Sequence, residues 1–111
     1  MLINELPKYL FHKEKLWEEK REIVLEIGFG SGEHFIHQAK MRPEVLFFGI
    51  EVFLNGVARV LKQAVEQIVK NILIFPNDLD SILNDLPDGR FSHIYILFPD
   101  PWPKKNIKES V

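Results

Sequence analysis

Near its end the chain reads Phe98-Pro99-Asp100-Pro101-Trp102-Pro103-Lys104-Lys105. Proline fixes φ, removes a backbone donor and turns the preceding residue away from helix. Three alternating prolines therefore predict a stiff loop that holds a carboxylate, an indole and two ammonium groups in a narrow range of positions. Such a loop suits a planar ring held beside a carboxylate. Trp102 could stack on an unpaired base or simply brace the loop. Lys104 and Lys105 suit phosphate contact, although a solvated basic tail would read the same way.

Three more acids recur in comparable settings. Glu26 stands two residues before Gly28-Phe29-Gly30-Ser31-Gly32. Glycines on alternate positions allow a tight turn and close approach to a ligand, and a bare turn without ligand remains an alternative. The dinucleotide fingerprint is spaced G-x-G-x-x-G and sets a diphosphate on a helix N-terminus. Here the spacing is G-x-G-x-G, and a carboxylate at Glu26 suits an ammonium better than a diphosphate. No Walker lysine follows, which disfavours phosphoryl transfer. Glu51 lies in Gly49-Ile50-Glu51-Val52 among apolar neighbours, where an acid can accept from both vicinal hydroxyls of an adenosine ribose. Asp78, after Phe75-Pro76-Asn77, could cap a helix or bond the exocyclic amine of an adenine, and both can hold together. His34 and His37 are three apart on a predicted helix. No other ligand is near them in sequence, so no metal site is expected.

The elements that must position these residues follow from the apolar pattern. Strands are predicted at 23–27, 45–52, 72–75 and 91–98, and helices at 33–41, 54–70 and 79–86. Strands alternating with helices of this length imply βαβ units, right-handed crossovers and a parallel sheet covered on both faces. The strands read as nearly continuous apolar runs, as doubly buried strands do. In such sheets ligands sit beyond the carboxyl ends of the strands, which is where Glu26, Glu51, Asp78 and Asp100 fall. Residues 1–21 read as an N-terminal arm or amphipathic helix with a solvated face of mixed charge. Residues 22–111 read as the N-terminal portion of one α/β domain.

Composition narrows the function. The 111 residues are 46% hydrophobic and 27% charged, with net charge −2. One small domain is expected, and any nucleic-acid contact must be local. The absence of Cys removes disulfides, thiolate metal sites and cysteine nucleophiles. No apolar run reaches the roughly 20 residues of a membrane span, and no signal pattern opens the chain, so a cytoplasmic location is expected. Four acids at four strand ends fit a positively charged nucleoside, and S-adenosylmethionine is the common cofactor of that description.

Leu25–Gly32, Gly49–Val52, Asn77-Asp78 and above all Phe98–Lys105 resemble the bacterial tRNA (guanine-N7-)-methyltransferases. The first motif is generic to class I methyltransferases and the last is specific to the family. The resemblance implies a Rossmann-like sheet in the order 3-2-1-4-5-7-6, of which this chain supplies the first four strands. It implies S-adenosylmethionine binding at Glu26, Gly28, Gly30, Glu51, Asp78 and Asp100, with Asp100 also at the catalytic position. It implies tRNA as substrate, with Lys104 in contact with it, and Trp102 is the candidate to stack on the base. The family carries a His/Arg-rich stretch after the proline loop, where this chain has Asn106–Val111, and it continues into further strands. The leading expectation is an S-adenosylmethionine-dependent tRNA guanine-N7 methyltransferase or its cofactor-binding portion, and the second is a degenerate fragment that binds cofactor or a partner without catalysis. With the later strands missing, a truncated or split member is expected, either inactive alone or completed by a second chain. Its fourth strand would then be an edge able to associate. An NAD-binding domain is a third reading, disfavoured by Glu26 and the glycine spacing.

Overall fold

The computed structural model describes residues 3–97, so Asp100, Trp102, Lys104 and the rest of the proline loop lie outside the described residues. Four parallel strands, β1 (Ile23–Ile27), β2 (Leu46–Ile50), β3 (Ile72–Phe75) and β4 (Phe91–Ile96), form one sheet ordered β3-β2-β1-β4. This is the expected order of a class I methyltransferase sheet. β1 is central, with Glu26 in register with Gly49 on one side and Tyr95 on the other. Every residue of β1 and β2 is buried, which is why both read as unbroken apolar runs.

The helices α2 (Glu33–Met41) and α3 (Leu54–Glu66) cover one face. Val57, Val60, Leu61 and Ala64 recur at helical spacing and join Phe35, Ile36 and Ala39 over Val24, Phe47, Ile72 and Ile74. Buried Asn71 holds the end of α2 by donating from Nδ2 to the carbonyls of Ala39, Arg42 and Val45 at 2.9, 3.0 and 2.9 Å. The opposite face packs Leu25, Ile27, Phe48 and Ile50 under Leu16, Leu79, Ile82 and Leu86.

The N-terminal stretch is a 3-10 turn (Ile3–Lys8) followed by the short helix α1 (Lys13–Trp17), rather than one amphipathic helix. Pro7 sits inside the first element, where a continuing α-helix would lose a bond and clash. Between the two elements the backbone docks on β3. Phe11 N–H donates to Ile74 O and Ile74 N–H to Tyr9 O, each at 2.7 Å. Phe11 stacks on Phe48 with centroids 5.3 Å apart, and Leu16 is fully buried. Lys13, Glu14, Lys15 and Glu18 remain exposed, as their mixed charge predicted.

Four elements fall short of the expected bounds, among them β4, expected over 91–98 and ending at Ile96. β2 stops at Ile50 because Glu51 turns its carboxylate back onto the following amides. Residues 79–86 form two 3-10 turns (Leu79–Ser81 and Leu83–Asp85) and not a helix. Asp78, Asp80, Ser81, Asn84 and Asp85 compete for the local backbone there, which favours caps and turns over helix. α3 stops at Glu66 because Ile68 takes a left-handed conformation with φ 56°. Val69 N–H then reaches Ala64 O at 2.8 Å and Ile68 N–H reaches Val65 O at 3.3 Å, a Schellman ending. β4 differs from the other strands. Among the described residues it pairs only with β1, and Ser92, His93, Tyr95 and Ile96 are exposed.

The left-handed position of the Schellman ending normally belongs to glycine, and a β-branched side chain there is strained. Ile68 is 74% exposed, so its removal sacrifices little packing. Ile68→Gly is expected to stabilise the chain by about 1 kcal/mol, read as a higher midpoint in urea unfolding. An unchanged or lower midpoint contradicts this account of the helix end.

The turn into β1 supplies a pH prediction. Arg21 binds the Glu19 carboxylate through Nε and an Nη at 2.9 and 2.8 Å, which holds that carboxyl down at about 2. A lowered folded-state value contributes stability that is present above the ordinary carboxylate range and is lost as pH falls through the folded value. The deficit of Glu19→Gln against the wild type should therefore be full at neutral pH, shrink below the ordinary 4.5 and vanish near 2. Urea midpoints at a series of pH values check it.

Candidate functional site

The strand order reverses between β1 and β4, and the carboxyl ends of β1, β2 and β3 bring three of the expected acids to one edge. After β1 the chain turns through Gly28, Gly30 and Gly32, with φ of 77°, 62° and 81°. This alternation of left-handed residues is the backbone that the G-x-G-x-G spacing permits. The turn is also pressed against α3. A Cβ on Gly56 would lie 2.1 Å from the carbonyl oxygen of Gly30, so only glycine lets the helix come this close.

Glu51 fastens that contact. It is buried, and its Oε1 accepts from Gly30 N–H at 2.6 Å while Oε2 accepts from Val52 and Phe53 N–H at 3.1 Å each. One carboxylate thus joins the turn after β1, the end of β2 and the start of α3. Phe53, which precedes α3, has no side-chain cap bond of its own, and Glu51 satisfies amides that would otherwise be orphaned there. A carboxylate offers about four acceptor positions. Three are occupied, so one acceptor position of this carboxylate is free in this conformation. Val52, Phe53 and Leu54 stand exposed on the same rim, an apolar shelf beside the acid.

Glu26 is fully buried in the central strand. Its Oε1 lies 3.2 Å from His34 Nδ1, and its Oε2 has no partner among the described residues. Burial raises its affinity for a proton, and the charge and hydrogen bond of His34 act in the opposite direction. A buried carboxylate oxygen without a donor is costly, and an ammonium group at the glycine turn would satisfy it. Asp78 is exposed and caps the first 3-10 turn, where Oδ1 accepts from Ser81 N–H and Oγ–H at 3.0 Å each. The capping role is thus observed at this residue.

S-adenosylmethionine fits what is present. The unpaired Oε2 of Glu26 suits its amino group, Glu51 suits its ribose, and the left-handed turn allows close approach. A cleft of about 430 Å³ at the opposite edge of the sheet, among Lys15, Glu18, Lys20 and Arg21, mixes both signs of charge and carries no comparable buried orphan group. The sequence pattern pairs His34 only with His37, as half of a metal site. The structure brings it instead to Glu26, and the signal for this is its place in the first turn of the helix that follows the glycines.

The family model described as "Putative methyltransferase" matches residues 20–109. The chain is 67% identical over 109 residues to a bifunctional methyltransferase of Rickettsia felis, a match covering 98% of this chain and 21% of that protein. It is 46% identical over 100 residues to a tRNA (guanine-N(7)-)-methyltransferase of Neorickettsia sennetsu, covering 90% of this chain and 46% of that one. The chain therefore spans about a fifth of the first relative and just under half of the second. In fold it is similar to a 30S ribosomal A1408 methyltransferase from an uncultured bacterium, with TM-score 0.67 at 18% identity over 80% of this chain and 45% of that one. By fold and by sequence, this chain belongs to the methyltransferase family whose model it matches.

Proposed function

We propose that the chain is the S-adenosylmethionine-binding portion of an enzyme that methylates guanine N7 in tRNA. The observation that carries this is the buried Glu26 with its unpaired Oε2, two residues before the glycine turn, and the buried Glu51 after the neighbouring strand. Relatives named as tRNA (guanine-N(7)-)-methyltransferases at 46% and 43% identity support the substrate.

The cofactor supplies an electrophilic methyl group on a sulfonium. Glu26 holds the amino end by charge and hydrogen bonding, Glu51 holds the ribose, and Asp78 lies on the adenine side of the same edge. Guanine N7 carries a lone pair and no proton, so no general base is required. What remains for the protein is proximity, alignment and electrostatics. Asp100, in the proline loop, steadies the positive charge that develops on the methylated ring. Lys104 holds tRNA phosphate, and Trp102 stacks on the base or braces the loop.

A second reading is that the chain by itself binds cofactor or a partner and does not turn over. The outer side of β4 favours it: Tyr95, Ile96 and Leu97 are 37%, 43% and 47% exposed, and among the described residues no strand pairs there. Transfer of a radiolabelled methyl group to unmodified tRNA separates the two readings. Label in guanine N7 supports the enzyme, and its absence where cofactor still binds supports the second.

In any form of the protein that transfers methyl, Asp100→Asn is expected to lower kcat by about 100-fold with little change in the KM for cofactor, as loss of transition-state electrostatics does. Glu51→Ala should act the other way, raising that KM by roughly tenfold or more through loss of charged hydrogen bonds while kcat at saturation largely holds. Unchanged turnover in the first variant removes Asp100 from the mechanism. An unchanged KM in the second removes Glu51 from the cofactor site.

A further inference from the structure

We propose that His34 is a positioning residue for the amino group of the cofactor: through Nδ1 it fixes the Glu26 carboxylate, and its own protonation weakens the grip of that carboxylate on a cation. The inference rests on the cofactor reading above and adds a residue and a pH dependence to it.

The geometry leaves Glu26 with one oxygen engaged and one free. Oε1 meets His34 Nδ1 at 3.2 Å, and Oε2 is buried with no partner among the described residues. The imidazole is half exposed while the carboxylate it touches is fully buried. His34 therefore joins a charge in the sheet to the solvent, across the first turn of α2.

A third residue completes the chain. Gln38, one helical turn on, sets its Nε2 3.2 Å from His34 Nε2. Two nitrogens share a hydrogen only if one accepts it, and an amide nitrogen does not. With the amide in this orientation and the ring neutral, Nε2 accepts from Gln38 and Nδ1–H donates to Glu26. With the ring neutral and Glu26 ionised, the pair has charge −1 and Oε2 is without a partner among the described residues. Gln38 Oε1 is buried and also has no partner among the described residues. A half-turn of the amide presents that oxygen to Nε2, where it accepts the second proton of an imidazolium. One set of three side chains thus accommodates both charge states with no backbone movement. In the protonated state the pair is neutral, and an ammonium at Oε2 meets a carboxylate already compensated.

The other groups facing His34 do not duplicate this role. From β4, Tyr95 meets its ring edge-on at 6.4 Å, and His93 stacks behind Tyr95 at 6.1 Å. On its own helix Glu33 and His37 flank it, both exposed. Glu51 spends its carboxylate on the backbone amides of Gly30, Val52 and Phe53.

The test is proton NMR of the histidine rings of the full chain, with and without saturating S-adenosylhomocysteine, which carries the amino group and no sulfonium. The spectrum of His34→Gln identifies the His34 signal. Saturation is expected to lower the titration midpoint of His34 by about one pH unit, the linkage counterpart of a roughly tenfold preference of ligand for the neutral ring. Calorimetry should agree, with tighter binding at about pH 8 than at about pH 6, on either side of the range where histidines generally change charge. At the higher pH, His34→Gln, whose amide still donates to Oε1, should bind within about threefold of wild type, and His34→Ala should lose about tenfold. A His34 midpoint indifferent to ligand, or an alanine variant that binds like wild type, overturns the proposal and leaves the cofactor reading intact. Failure of the wild-type chain to bind at either pH overturns the cofactor reading and this proposal with it.

Discussion

The Glu51 carboxylate is the contact on which the edge of this molecule depends. Three backbone amides converge on it, from the turn after β1 and from the two residues that lead into α3. Without it the Gly30 N–H loses its acceptor, and the start of α3 loses an acceptor that no side-chain cap replaces. The close approach of Gly30 to Gly56 follows from the same contact, because the bond to Glu51 draws the turn onto the helix. Three amide bonds fix the orientation of this carboxylate before any ligand arrives. Its cost of organisation has been met in folding.

The second constraint is electrostatic. A parallel sheet buried on both faces has no natural place for a carboxylate, yet Glu26 sits in its central strand with an oxygen unsatisfied. Burial disfavours the charge, and His34 offsets only part of that penalty. Such an arrangement costs stability, and a cationic ligand would recover it. The neighbouring carboxylates differ in how far they are spent. Glu51 is mostly satisfied by backbone, Asp78 caps a turn through one oxygen, and Glu26 keeps a buried oxygen free. That gradient is the reason the proposed reading gives the amino end of the ligand to Glu26 and the sugar end to Glu51.

Much of this is legible in the sequence, for physical reasons that differ from element to element. β1, β2 and β3 are buried on both faces, so their apolar runs are unbroken and mark each strand to within two residues of its ends. The glycine turn and its acids stand out because alternate glycines directly after an apolar run let the backbone take left-handed conformations that other residues resist. Other features depend on contacts that no local pattern records. The docking of Tyr9 and Phe11 on Ile74 joins residues more than sixty apart. α3 ends four residues before its apolar pattern does, because Ile68 is among the last residue types expected in a left-handed position. The leucines of 79–86 suggest a helix, and the Asp, Asn and Ser between them break it into 3-10 turns. Spacing along the helix pairs His34 with His37, whereas the glycine turn swings it back over β1 to Glu26.

The proposed ligand is a nucleoside with a cationic amino-acid tail. Calorimetric titration of the chain with S-adenosylhomocysteine and, separately, with NADH puts that choice to the most direct test. Saturable binding of the first at one site per chain, with no measurable heat from the second, is the predicted result. Tight binding of NADH, or no binding of S-adenosylhomocysteine, would contradict it.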